Sequence, residues 1–510
     1  KMTNMKKIAI SIVIAVCSMV FVSCDLDTYP ENKLVNDQAL KTMSDLEKFE
    51  LGTYALFRGN FAAPLIIAGD LQGDYVNAVR GFGNVYGPLH KWDYTYADYE
   101  VEDVWQANYK TIAQTNYVLS KDGSISYTDE EKADYDAIMG EMYFIRAMSL
   151  FQLIEKFCGD YDPATASKDY SGMPVLKGFN PQEMPPRSSL ADTYAQVLSD
   201  IAEAKTLLNG TDGKAGAKVI TMDCVTALEA RIYLQMHNYD EAYKKAASLI
   251  ADGVYALADS ADALKTLFTD DAGSEIIFVF YASTTELPAD YGIQFVRDQN
   301  SKNDYYLPQY IPTQTLVDMY DDADYRKGVY FLKAENSTCE INGNKIATPV
   351  YLMNKYPGNP ALQTTAGTKN YRNAFKVFRI AEMYLIAAEA GLYAQGGDAK
   401  TYLNALRTKR GLSALDNVTL ADVKAERMRE LMFEGNRISD LKRWGDGISS
   451  RKPQTGKIGT GESFGLIESG SMFENLSVTS DDYRFVWPVP SNEIYANQIL
   501  AGQQNPGWNK

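Results

Sequence analysis

The chain has 510 residues, 45% hydrophobic and 23% charged, the balance of a globular protein with ample material for a core rather than of a disordered chain. Its net charge of -16 and pI near 4.8, with no long basic run to offset them, set a repulsive field against polyanions and exclude nucleic acid as a partner. Two histidines, His90 and His237, leave few routes to histidine-based catalysis, and of five cysteines the three beyond the first residues, Cys158, Cys224 and Cys339, are widely spaced and show neither a zinc spacing nor a disulfide framework; no cofactor is expected.

The first residues read as a targeting segment. Lys6 and Lys7 are followed by the apolar stretch Ile8 to Val22, then Ser23 and Cys24. Phe21-Val22-Ser23-Cys24 resembles a bacterial lipobox, with Phe where Leu is commoner, and Asp25 and Asp27 end any hydrophobic span. The expectation is a lipoprotein signal at 1–23, cleavage before Cys24 and lipidation of that cysteine.

From there the chain reads as helix after helix, interrupted by irregular inserts. Capping boxes are expected at Ser44 with Glu47, Thr128 with Glu131, Ser189 with Asp192 and Thr419 with Asp422. Helical pairs are expected at Ala227 to Gln235 with Tyr239 to Ile250, and at Phe378 to Tyr393 with Ala399 to Arg410. Their alanine and tyrosine pattern resembles tetratricopeptide packing, although no period is kept. Ile276 to Phe280 is expected as a buried strand. The fold class expected is therefore mostly α, a tetratricopeptide-like helical-pair scaffold with long irregular loop inserts and a few short strands. Residues 24–510 read as one domain, with scaffold at roughly 40–270 and 371–445 and loop-rich inserts at roughly 271–370 and 446–510.

Glu426, Arg427, Glu430, Glu434, Arg437, Asp440 and Arg443 recur at helical spacings. They read as an ion-pair ladder locking two helices, beside an apolar face of Leu431, Met432, Phe433 and Leu441; the competing reading is an acid/base pair or a carboxylate metal cage. The same run resembles the C-terminal helical signature of the SusD/RagB family. Trp105-x3-Tyr109-x2-Ile112-x3-Asn116, Gly140-Glu141 through Phe157-Cys158-Gly159-Asp160, Gly172-Met173-Pro174-Val175, and Pro186-Arg187-Ser188 resemble it in order. So do Phe378 through Ala390, Leu403-Asn404-x2-Arg407-x2-Arg410-Gly411, and Trp487-Pro488-Val489-Pro490 through Gln504-Asn505-Pro506-Gly507-Trp508. The resemblance implies a non-catalytic, lipid-anchored outer-membrane protein exposed at the cell surface. It would bind an oligosaccharide and deliver it to a SusC-like TonB-dependent transporter, or, as in some branches, bind a peptide.

The resemblance transfers no ligand residue, so the candidate site rests on chemistry. A glycan platform needs exposed aromatic rings for stacking with polar side chains beside them, and the chain holds 35 Tyr against 20 Phe and 5 Trp. Two loop clusters qualify. One runs through Asp70, Gln72, Asp74, Tyr75, Arg80, Tyr86, Trp92, Tyr94 and Tyr96. The other runs through Tyr281, Tyr291, Gln294, Arg297, Asn303, Asp304, Tyr305 and Tyr306. They are expected to converge on one aromatic face with Trp92 as the principal stacking ring, core packing being the competing reading for each ring. Asp70 and Asp74 are open to a calcium role, although two acids are too few for an oxygen cage. His90 reads as a solvated loop histidine and His237 as a capping or packing group in a helix turn. Nothing in the loops singles out the paired carboxylates of a hydrolase, and the inserts are longer and more aromatic than a bare protein-binding repeat requires.

Overall fold

The computed structural model describes residues 39–292, 295, 298–300, 303–365, 367, 369–459 and 464–509, with the backbone alone at 63–64, 298–300 and 303–305. The expected signal segment and Cys24 lie outside the described residues. Helix α1 (Met43–Gly59) begins at Thr42, whose hydroxyl accepts from the Asp45 amide while the Asp45 carboxylate returns to the Thr42 amide. The expected box at Ser44 is thus two residues late. Backbone bonds from Met43 to Ser126 and from Ser126 to Lys41 pin the extended entry at Thr42. The box at Thr419 forms as expected; Ser189 caps its helix by accepting from the Asp192 amide while its hydroxyl donates to the Asp192 carboxylate, and Thr128 exchanges bonds with Glu131 just ahead of its helix.

After α1 come α2 (Ala63–Gln72), the short α3 (Gly87–Lys91), α4 (Tyr99–Leu119), α5 (Lys132–Phe157) and α6 (Leu190–Leu207). Helix α5 is long and apolar enough to cross a bilayer, but it is packed between α4 and α6 and mostly buried, so it is the core helix of this half. Two helical pairs follow. One is α7 (Met222–Gln235) with α8 (Tyr239–Ala251); after α9 (Ala261–Thr269), α10 (Gln314–Asp318) and α11 (Tyr325–Tyr330) comes α12 (Ile380–Ala390) with α13 (Ala399–Lys409). Both pairs fall where the alanine pattern places them. Ala227, Ala230, Ala242, Ala246, Ala381, Ala387 and Ala388 are fully buried, and their small side chains let α7, α8 and α12 approach closely. Phe378 is the exception: it belongs to strand β10 (Lys376–Arg379), which pairs antiparallel with β2 (Ile276–Val279), the expected buried strand.

The remaining strands are short antiparallel pairs. β1 (Val76–Ala78) pairs with β5 (Tyr310–Pro312), and β6 (Phe331–Ala334) with β9 (Val350–Met353). The others are β3 (Asp298–Asn300) with β4 (Asn303–Tyr306), β7 (Glu340–Ile341) with β8 (Asn344–Lys345), and β11 (Lys457–Ile458) with β12 (Phe464–Gly465). Each insert covers a small core of its own. Ile311, Ile341, Val350, Leu352, Ile458 and Leu466 form one beneath the 271–370 insert; Ile438, Leu441, Ile448, Leu476 and Phe485 form another beneath the C-terminal segment. Helices α14 (Leu420–Leu431), α15 (Arg437–Trp444) and α16 (Ser491–Ala496) complete the chain.

Candidate functional site

Between α14 and α15 the backbone turns through Phe433 at φ 57° and Gly435 at φ 86°, left-handed conformations that glycine adopts freely and phenylalanine only under constraint from its surroundings. The turn aims the first amides of α15 at α2, where Asp70 accepts from Gly435 N at 3.0 Å and from Arg437 N at 3.1 Å. Asp70 is therefore an N-terminal cap for α15 rather than a ligand or calcium group. Burial pushes its carboxyl up to about 6, with those two amides working against the rise. Asp74 is engaged by Arg437 through two bonds of 2.7 Å.

The same docking accounts for most of the aromatic cluster. Tyr75 packs on Phe433 under the Arg437 guanidinium. Trp92 is fully buried: its indole N–H donates to the Gln72 carbonyl at 2.7 Å and its ring meets Phe485 edge-on at 4.8 Å. Tyr94 is buried beneath Trp508 at 5.3 Å, with its hydroxyl on the Arg484 carbonyl. Tyr291 lies between Tyr356 and Phe375, and its hydroxyl donates to the Phe61 carbonyl. The two clusters do meet, through the β1–β5 pairing and the chain of rings Tyr75, Phe433 and Phe295. They meet as interior and not as a face, which corrects the expected stacking roles of Trp92, Tyr75, Tyr94 and Tyr291.

Among the other expected residues, Arg80 donates to the Gly465 carbonyl at 3.3 Å and lies over the exposed Phe464 ring, so it anchors a hairpin. Tyr281 is exposed, under Lys218 at 5.4 Å, with its carbonyl bonded to Arg58. The Tyr305 side chain, Gln294 and Arg297 lie outside the described residues. His90 is not solvated. It is fully buried, with Nδ1 2.9 Å from the Leu71 carbonyl, and burial together with the neighbouring Arg451 holds its pKa well below the usual imidazole range. His237 stands in its helix turn as expected, at φ 56°, between Tyr239 and Asp160.

The charged run Glu426 to Arg443 is structural: Arg427 and Asp440 pair at 2.8 Å across α14 and α15, as a ladder locking two helices requires, and further partners come from outside those helices. Glu430 is enclosed by Arg326, Arg379 and Arg410, Glu434 is held by Arg379 and Lys355, and Arg443 and Arg427 converge on Asp440 and Glu389. No group of three or more His, Cys, Asp or Glu side chains is placed to hold a metal among the described residues.

An exposed aromatic site lies beside the buried cluster, at the end of the same loop. Tyr96, two residues past Tyr94, is 41% exposed and lines a hollow of about 440 Å3 together with Tyr495 of α16, 74% exposed, and the buried Trp508. Ser491, Ile494 and Gln504 also line it, and among the described residues no Lys, Arg, Asp or Glu does. The frame is fixed by polar bonds. Ser491 N donates to the Tyr96 carbonyl at 2.8 Å, Trp508 Nε1 to Val486 at 2.8 Å, and Gln504 exchanges two bonds with the Val489 backbone. Tyr483, also exposed, stands edge-on to Trp508 at 4.9 Å. Neutral polar groups beside open tyrosine rings in a rigid frame suit a ligand with apolar C–H faces ringed by hydroxyls. Tyr96 belonged to the expected cluster. Tyr495 and Tyr483 lie outside both expected clusters and Trp508 enters only as part of a motif, although five aromatics in the last 28 residues, Tyr483, Phe485, Trp487, Tyr495 and Trp508, are a signal.

Comparison with known proteins agrees with this architecture. A family profile described as the SusD family matches residues 228–508, and one described as starch-binding associating with outer membrane matches residues 26–234. A SusD superfamily protein from Bacteroides thetaiotaomicron is 26% identical, with 91% of this chain and 100% of that one covered and a TM-score of 0.74. Another, from Bacteroides vulgatus, is 25% identical over 92% of this chain and 100% of that one, with a TM-score of 0.72. Surface glycan-binding protein A from Bacteroides thetaiotaomicron shares the fold at 17% identity, with 92% and 100% covered and a TM-score of 0.72. No curated protein matches the chain. With a profile spanning more than half the sequence and superimposable structures over nearly all of the described chain, the protein belongs to the SusD family.

Proposed function

We propose that this chain is a non-catalytic glycan-binding protein of the outer-membrane surface that hands an oligosaccharide to a SusC-like TonB-dependent transporter. The observation that carries the reading is the neutral hollow lined by Tyr96, Tyr495 and Trp508. Support comes from the family's description as starch-binding and outer-membrane associated, and from the name of the surface glycan-binding neighbour. The acids of the chain's densest charged cluster are buried and committed to guanidinium partners, which leaves them no substrate to protonate. In this reading residues 24–510 act as one domain tethered through a lipidated Cys24.

Tyr96→Ala and Tyr495→Ala are each expected to weaken binding of a matching oligosaccharide roughly tenfold, by analogy with the loss of about 1–3 kcal/mol when a stacking ring is removed. Titration calorimetry after a glycan-array screen, with a peptide panel beside it, is the measurement. Unchanged affinity in the double variant, or binding confined to peptides, would defeat the proposal. For the tether, the full-length Cys24→Ala protein is expected in the soluble fraction of cells lacking the transporter; if it stays with the outer membrane there, the lipid assignment fails.

A further inference from the structure

Helix α16 walls a second hollow on its other side. Glu493 and Ala496 of the helix, Asn497 at its extended C-terminal end and Leu500 of the 3-10 helix that follows (Gln498–Gly502) line it, whereas Ser491, Ile494 and Tyr495 line the first. At about 310 Å3 it lies at the small end of small-molecule sites, which run from roughly 300 to 1,000 Å3. Its far side is Trp105 and Tyr109 of α4 together with the segment from Pro174 to Pro185. That wall is fastened: Asn497 Nδ2 donates to the Pro185 carbonyl at 2.9 Å, and the Tyr109 hydroxyl to the Pro174 carbonyl at 2.7 Å.

The two hollows differ in charge. Among the described residues the aromatic one is lined by no ionised side chain, whereas the second carries Glu493 and Glu183 and no Lys or Arg. Burial raises the Glu493 carboxyl, the Trp105 indole N–H works against the rise, and nearby Glu102 adds to it; among the described residues no cation relieves it. A carboxylate that has lost part of its water and shares its recess with a second acid gains from an ammonium group and repels another acid.

We propose that an extended ligand crosses α16, with the second hollow serving as a subsite for an ammonium-bearing residue, an unacetylated amino sugar rather than a neutral or acidic one. The inference rests on the glycan-binding reading of the first hollow and adds the ligand's charge. Neutral sugar rings stack on Tyr96 and Tyr495, and the amine reaches Glu493 past Leu500 and Met184.

The test compares a β-1,4-glucosamine tetramer with cellotetraose, which differs by a hydroxyl in place of each amine, by titration calorimetry on the full chain. The amino tetramer is expected to bind roughly tenfold more tightly, the scale of one charge-assisted hydrogen bond. Glu493→Gln should abolish that preference while leaving cellotetraose affinity unchanged, and Tyr495→Ala should weaken both. Equal affinity in the unmodified protein, or a preference that survives Glu493→Gln, overturns the subsite. Should neither tetramer bind, the aromatic reading fails by itself, and the Trp105 indole N–H resonance under D-glucosamine decides the subsite. A shift absent with D-glucose and lost in Glu493→Gln upholds it. No shift, or a shift produced only by a lysine tetrapeptide, rejects it.

Discussion

Glu430→Ala is expected to destabilise the protein by roughly 3–5 kcal/mol while leaving ligand affinity per folded molecule unchanged, because it strips three buried guanidiniums of a shared partner. Glu430 has no exposed surface and accepts from Arg410 Nη2 at 2.8 Å, Arg379 Nη1 at 3.0 Å and Arg326 Nη1 at 3.0 Å. These arginines come from the end of α13, from β10 and from α11, so one carboxylate on α14 ties three other elements together. Each arginine keeps a second acid: Arg326 has Asp324, and Arg379 and Arg410 share Glu275. The loss is therefore that of a hub within a network and not of an isolated pair. Burial raises the Glu430 carboxyl, and the guanidiniums of Arg410, Arg379 and Arg326 more than reverse it, holding it well below the usual 4.5. A depressed folded-state pKa stabilises at every pH above the unfolded value, and that contribution disappears as pH falls through the folded value. The gap between the two proteins in urea midpoint should thus be full at neutral pH and close only in strong acid. A variant as stable as the parent but unable to bind ligand would move this cluster into the site.

The scaffold was legible because its determinants are local. Alanine at helical spacing, a hydroxyl three residues before a carboxylate, and a run of Ile and Phe each carry their meaning within a dozen residues, and α7, α8, α12, α13 and β2 lie where those signals place them. The hub was half legible. Glu426, Glu430 and Glu434 showed their shared spacing, but Arg326, Arg379 and Lys355 stand far off in the chain. The site was misread for the same reason. Asp70, Gln72, Tyr75 and Trp92 look like a solvated loop in sequence because what buries them arrives from beyond residue 430. Arg451 alone satisfies the carbonyls of Gln72, Gly73 and His90 at 2.8, 2.8 and 2.6 Å. A polar, aromatic segment is equally suited to bind a ligand or to be closed over by its own chain, and only the tertiary partner decides.

Trp92 offers the sharpest separation of those two roles. Trp92→Ala is expected to cost roughly 3–5 kcal/mol of stability, the range for removing a large aromatic from a packed core. The indole fills the space between Ile438 and Leu441 of α15 and Leu476, Val478 and Phe485 of the C-terminal segment, so its loss opens a cavity where the insert is seated on the scaffold. The lost hydrogen bond adds less, since the Gln72 carbonyl also accepts from Arg451. Trp92 holds φ at 60°, and alanine gains nothing there in compensation. Trp92→Phe keeps a ring against Phe485 and should lose less than half as much. Urea denaturation of the three proteins gives the stabilities, and calorimetry at a temperature where each is fully folded gives the affinities. Ligand affinity is expected to match the parent in Trp92→Phe, while Tyr96→Ala, four residues along the same loop, weakens binding without a comparable loss of stability. A folded Trp92→Phe protein that binds tenfold more weakly, with stability intact, would return the indole to the ligand and displace Tyr96 as the ring that meets it.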